Sequence, residues 1–182
     1  SSQRVVPACP HFGTCGGCQL QHWQADPYLG FKRELVIHAL ERAGVDARVE
    51  PAVPAYGRGR RRATLHAEPG GAGYRARRSH DLVVIDACPI LVPELAAAPA
   101  IAAEAAQLLG PLDARFTATD TGIDLALGGK GKARTDFAPL ARRYGLARVS
   151  LNGEVLIQHR VPEVVMGTAR VRMPPGGFLQ AT

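Results

Sequence analysis

Three cysteines fall within ten residues, Cys9, Cys15 and Cys18 in the run CPHFGTCGGCQLQH, and the only other cysteine of the chain is Cys88, in DACPIL. Thiolate sulfur is the soft ligand that iron-sulfur clusters and zinc select. A loop bringing three sulfurs to one point needs small residues between them, which Gly13, Gly16 and Gly17 supply. Structural zinc sites more often pair two C-x2-C knuckles. Here C-x5-C-x2-C is followed by one distant ligand in a Cys-Pro pair, as in many iron-sulfur sites, so the spacing favours a cubane cluster over zinc. Disulfide-bonded cysteines would require an oxidising compartment, and SSQRVVPACP has no apolar run of signal-peptide length.

The second chemical signal is charge. The formal net charge of the 182-residue chain is +6, and all of that excess lies between Arg58 and Arg78. Arg58, Arg60, Arg61, Arg62, Arg75, Arg77 and Arg78 are there opposed by Glu68 alone, while the rest of the chain balances. A guanidinium can bind two phosphate oxygens at once, so concentrated arginine on a strand pattern points to RNA or DNA. The alternative is a solvated strand face. No window approaches the apolar length of a transmembrane helix, so no membrane partner and a cytoplasmic location are expected.

These groups need elements to hold them. Asp26-Pro27 reads as N-cap and first helical residue, and Tyr28, Phe31, Leu35 and Leu40 keep an apolar face until Gly44. Residues 51 to 59, PAVPAYGRG, read as a linker. RRRATLHAE, a Gly70-Gly71 turn, GYRARR and LVVID then predict a basic hairpin and a strand running straight to Cys88. Pro93 to Leu109 is helical, with Pro99 interrupting and Gly110 stopping it. Strands near Arg115 to Thr119 and Ile123 to Leu127, a capped helix from Asp136 to Tyr144, and strands at Ala147 to Leu151 and Glu154 to Gln158 complete the pattern. The order predicts an α+β fold, mainly an antiparallel sheet with flanking helices and a cysteine-rich iron-sulfur loop, with no regular βαβ alternation.

Other motifs weigh less. GGKGK at Gly128 to Lys132 fails as a phosphate loop because Ala133 holds the Ser/Thr position and Ala126 that of the first glycine, so it reads as a basic hairpin turn. His22, His66 and His80 have no ligand spacing and no acid partner legible in sequence, and read as surface or packing residues, as Trp23 reads as core. In PPGGFLQAT, Phe178 and Gln180 would share one face of an extended segment, a ring and an amide able to recognise a nucleobase, or simply a final strand.

Taken in order, CPHFGTCGGCQLQH, RRRATLHA, GYRARRSHDLVVIDACPIL and PPGGFLQAT resemble the iron-sulfur-containing RNA uracil-5-methyltransferases that modify 23S ribosomal RNA. The resemblance implies a parent with an N-terminal TRAM barrel, a central domain holding a 4Fe-4S cluster and a C-terminal domain that binds S-adenosylmethionine. Cys9, Cys15, Cys18 and Cys88 would be the cluster ligands. Arg60, Arg61 and Arg62, with Arg75, Arg77 and Arg78, would face RNA, and Phe178 and Gln180 would form an active-site wall. Gly59 stands where the family has an aromatic.

On this reading residues 1–182 are the central domain as a fragment. Segment 19–50 would pack on an absent methyltransferase domain that starts at 178–182. Adding a thiolate to C6 of uracil turns C5 into the nucleophile that takes the methyl group, and that thiolate cannot also hold a cluster. The fragment is therefore expected to be inactive alone and to act within its parent, with 23S rRNA as partner. Ferredoxin-like electron carriage and a zinc-stabilised RNA-binding module are the alternatives from other classes.

Overall fold

The computed structural model describes residues 2–54, 59–131 and 136–182. Arg58, Lys132 and Ala133, and part of the expected linker, lie outside the described residues. Seven strands form one sheet in the order β3-β2-β1-β4-β5-β6-β7: β1 (Arg62–Glu68), β2 (Gly71–Arg75), β3 (Leu82–Val84), β4 (Leu112–Thr119), β5 (Gly122–Gly129), β6 (Arg148–Leu151) and β7 (Glu154–Gln158). Every pairing is antiparallel except β5 with β6. That parallel pair is joined through a short helix, α3 (Ala138–Arg143), so one βαβ crossover interrupts the expected antiparallel order.

Alternation along the strands fixes which face is covered. Ala63, Leu65 and Ala67 of β1, and Leu112, Ala114 and Phe116 of β4, point into the core. There they meet Ile101, Ala102, Ala105 and Ala106 of α2 (Ala98–Leu109). The alanines of α2 carry no bulk to hold the helix off the sheet, and a 3-10 turn, Pro93–Leu95, leads into it. Pro99 does not interrupt this helix. It stands in the first turn, where its missing N–H costs no hydrogen bond.

The other face of the same strands is polar. His66 lies against Asp113 with Nδ1 2.6 Å from Oδ1, an acid partner that neither local sequence reveals. Asp124 and Arg148, neighbours across β5 and β6, form a doubly hydrogen-bonded pair at 2.8 and 2.9 Å that is almost wholly buried.

The turn between β4 and β5 lies at Asp120 and Thr121, so GGKGK is not a hairpin turn: Gly128 and Gly129 end β5, and the chain leaves toward the crossover. A hairpin joins β6 to β7 through Asn152 and Gly153, both at positive φ, the conformation that a two-residue turn requires. A second, two-stranded sheet of β8 (Glu163–Met166) and β9 (Ala169–Arg172) follows, which the sequence reading did not assign.

The N-terminal helix α1 (Ala25–Arg42) starts after Gln24, two residues before the expected cap, and ends in a Schellman arrangement. Val45 N–H donates to Leu40 and Gly44 N–H, at φ 67°, to Glu41. None of its residues is buried. Its base is fixed by Trp23, whose ring packs on Tyr28 and Phe31, and by Arg33, which donates twice to the Val49 carbonyl.

Candidate functional site

Residues 9–18 form a run of tight turns pinned to the end of the β2–β3 hairpin. Cys15 N–H donates to His11, Gly16 N–H to the Arg75 carbonyl and Arg77 N–H to Thr14. Gly16 is required at this approach, since a Cβ there would lie 2.6 Å from the Arg75 oxygen. From the other side, Cys88 sits in the loop after β3, which is tied to the strand entry by Arg60 N–H donating to Ile90 and Val92 N–H to Arg60.

The result is that Cys9, Cys15, Cys18 and Cys88, all free thiols, line one cavity of about 120 Å³ with Tyr74 and Arg60. Burial pushes the Cys88 thiol up from its ordinary value, against hydrogen bonds from Ile90 and Tyr74 that lower it. Burial and the adjacent Cys88 likewise push the Tyr74 phenol well above its usual range. Among the described residues no three His, Cys, Asp or Glu side chains are close enough together to hold a single metal ion. His22 packs its ring on Phe12, 5.4 Å between centroids, beside this loop.

The arginines divide by role. Arg61 donates from Nε to the Ala118 carbonyl and reaches Asp120 at 3.7 Å, and Arg75 is tied to His80 and Glu68. Arg62 donates to the Leu179 carbonyl and stacks on the Phe178 ring. Arg60 lines the cysteine cavity, while Arg77 and Arg78 are exposed at the hairpin end. Three of the six described candidates are thus engaged within the fold.

The C-terminal segment crosses the polar face of the sheet as a strap. Arg148 donates to the Met173 carbonyl, Arg115 to Gly176 and Arg62 to Leu179. Three guanidiniums from β6, β4 and β1 thus hold every third carbonyl, and Val164, Met173 and Leu179 make a small apolar cluster beneath. Leu179 is buried, so Phe178 and Gln180 face outward together, and Phe178 is 72% exposed. No strand forms here, yet the shared face expected of these two residues is present. Arg115 and Arg148 were missed as functional residues. Their signal was faint: Arg115 lies with Asp113 and Thr117 on the polar side of its strand, and Arg148 is the first residue of a four-residue strand.

The architecture has a counterpart among solved structures, in the Pyrococcus abyssi tRNA (uracil-54, C5)-methyltransferase crystallised with S-adenosyl-L-homocysteine. The TM-score is 0.70 at 18% identity, over 100% of this chain and 48% of that one, a likeness of fold. No family model matches the chain.

Among curated proteins it is 41% identical over 194 residues to an uncharacterized RNA methyltransferase of Brucella suis biovar 1, covering 100% of this chain and 47% of that protein. To one of Caulobacter vibrioides it is 42% identical over 200 residues, covering 100% of this chain and 48% of that one. To the 23S rRNA (uracil(1939)-C(5))-methyltransferase RlmD of Dichelobacter nodosus it is 43% identical over 105 residues, 54% of this chain and 25% of that protein. The chain thus spans about half the length of the first two relatives. No helix among the described residues is long and apolar enough to cross a membrane.

Proposed function

We propose that this chain is the RNA-contacting, cluster-bearing part of an S-adenosylmethionine-dependent RNA uracil-C5 methyltransferase of the 23S ribosomal type, acting in the cytoplasm. The observation that carries the reading is the likeness to RNA methyltransferases across the full chain, joined to four free cysteines around one cavity. An electron carrier has no use for a nucleobase-competent Phe178 and Gln180 on one face or for an arginine-rich hairpin.

The donor set suits a 4Fe-4S cluster. Four free thiols lining one cavity are soft donors of the kind such a cluster takes. Cys9, Cys15, Cys18 and Cys88 would hold it. When bound, the cluster supplies a cross-link between the N-terminal loop and the loop after β3, since methyl transfer to C5 requires neither hydride nor radical chemistry.

The chain's own residues orient the substrate. Phe178 offers a ring for stacking, Gln180 an amide for the base edge, and the arginine-held strap fixes both. In the reaction, a thiolate adds to C6, C5 takes the methyl group from the sulfonium, a base removes the C5 proton and the thiolate leaves. We assign that thiolate and the methyl-donor site to the remainder of a protein of the relatives' length.

The test is tritium transfer from labelled S-adenosylmethionine to 23S rRNA by the intact protein, with Gln180→Ala beside it. Wild type should label uracil at C5, and the variant should lose roughly tenfold to a hundredfold in kcat/KM through an unpaired, desolvated base edge. Absence of transfer to any RNA by the intact protein would overturn the reading. An unaffected variant would remove Gln180 from the site.

A further inference from the structure

Two open cavities flank the cysteine loop, of about 520 Å³ on the side of the β2–β3 hairpin end and about 650 Å³ on the side of α1. Both are lined by Gly16, Gly17 and Gln19, so they adjoin at the cysteine loop and together border one path across it. Arg77 and Arg78 border the first, and Lys32 and Arg60 the second. Among the described lining residues there is no Asp or Glu. Nor does any acidic side chain among the described residues pair with Arg60, Arg77 or Arg78.

The second cavity adds what a merely basic surface lacks. Trp23 and Tyr28 form part of its wall, with the Lys32 ammonium 5.4 Å from the Tyr28 ring centroid, and Gln19 and Gln21 bring amides to the same space. Its far end reaches Gly59, Arg60 and Thr182, two residues past Gln180. Positive charge along a track with aromatic rings in its wall matches a single-stranded nucleic acid, whose phosphates seek the cations and whose unpaired bases stack. A duplex offers phosphates but keeps its bases from such a wall.

We propose that this groove is the path of a single-stranded RNA segment. It runs from Arg77 and Arg78, over the glycines of the cysteine loop, past Tyr28 and Lys32 to the segment that carries Phe178 and Gln180. The proposal rests on the RNA-methyltransferase reading and gives it a route: the strand that delivers the target base crosses the cysteine loop. Arg61 and Arg75, engaged in the fold, and Arg62, held on the strap, are not part of the track.

The experiment is fluorescence anisotropy of the intact protein with a labelled single-stranded RNA and with the same sequence in a duplex, over a range of salt, with methyl transfer measured in parallel. Arg77→Ala/Arg78→Asn is a suitable charge variant, because both side chains are exposed and Asn tolerates the positive φ of residue 78. It should weaken single-strand binding and lower the magnitude of the log-log salt slope by up to about 0.7 per lost contact. Lys32→Ala should do the same. Tyr28→Leu should lose roughly tenfold in affinity while leaving the slope unchanged, as loss of a stacking partner does. Arg172→Ala, on β9 and away from the groove, should bind as wild type.

Wild-type affinity and slope in the Arg77/Arg78 and Lys32 variants, with methyl transfer intact, would overturn the track and leave the methyltransferase reading standing. So would equal binding of duplex and single strand. A wild-type protein that neither binds nor methylates RNA would overturn both.

Discussion

The Arg62 guanidinium stacks on the Phe178 ring, 4.9 Å from its centroid, while its Nη1 donates to the carbonyl of the next residue, Leu179. An arginine that reads in sequence as a phosphate ligand thus holds the outward ring in place. Arg62→Ala should cost about 1 to 2 kcal/mol of stability, from one charge-assisted hydrogen bond and one cation–π contact. It should also lower kcat more than it raises KM for RNA. Arg62→Lys should restore part of both. Urea unfolding and steady-state kinetics check this, and a variant impaired only in KM would return Arg62 to phosphate binding.

Arg148 and Asp124 are each about 4% exposed or less, and Arg148 also donates to Met173. Removing one partner strands a buried charge, so Arg148→Ala should destabilise by about 3 to 5 kcal/mol, and the double change Arg148→Met/Asp124→Leu by much less. Denaturant midpoints of the three proteins give the comparison.

Gly16 and Gly30 should respond oppositely to alanine. At Gly16 the new Cβ would meet the Arg75 carbonyl at 2.6 Å, prying the cysteine loop from the hairpin, whereas at Gly30 in α1 nothing lies within 4 Å. Gly16→Ala should therefore lose iron on anaerobic reconstitution. Gly30→Ala should keep its iron and gain about 0.8 to 1 kcal/mol of helix stability. Metal analysis and far-ultraviolet circular dichroism read the two effects.

If the four thiols act as one donor set, Cys88→Ser should reduce bound iron and sulfide as severely as Cys15→Ser, since the chain has no fifth cysteine. Wild type should bind about four irons with matching sulfide. Colourless protein with one zinc per chain would sink the cluster assignment.

What was legible in the sequence was whatever local chemistry dictates. Glycine turns and β-branched runs marked β1 to β7, and Gly44 and Gly145 marked two helix ends. The grouping of Cys9, Cys15 and Cys18, with Cys88 at the end of a strand, marked the cavity. Hidden from it were the partners supplied by other strands. Asp113 meets His66 only once β1 and β4 pair, and Arg115 and Arg148 find their carbonyls only when the last segment lies across them. The basic run divides for the same reason: charge density is local, but the Arg61 guanidinium bonds the Ala118 carbonyl, 57 positions away. Residues 163–172 went unassigned because each strand is only four residues long and β9, exposed throughout, carries Arg170 and Arg172 where an apolar face was sought.

The strap also bears on how the chain is made. Its bond from Arg62 to Leu179 spans 117 positions, so on a ribosome the strands from β1 to β6 emerge well before the segment that covers their outer face. Contacts of such separation form late. An uncovered apolar face would be a site of aggregation during that wait. This face presents Thr64, His66, Asp113, Arg115 and Thr117, so the nascent sheet stays hydrated until residues 173–181 arrive, and Phe178 takes its outward place only after the sheet beneath it exists.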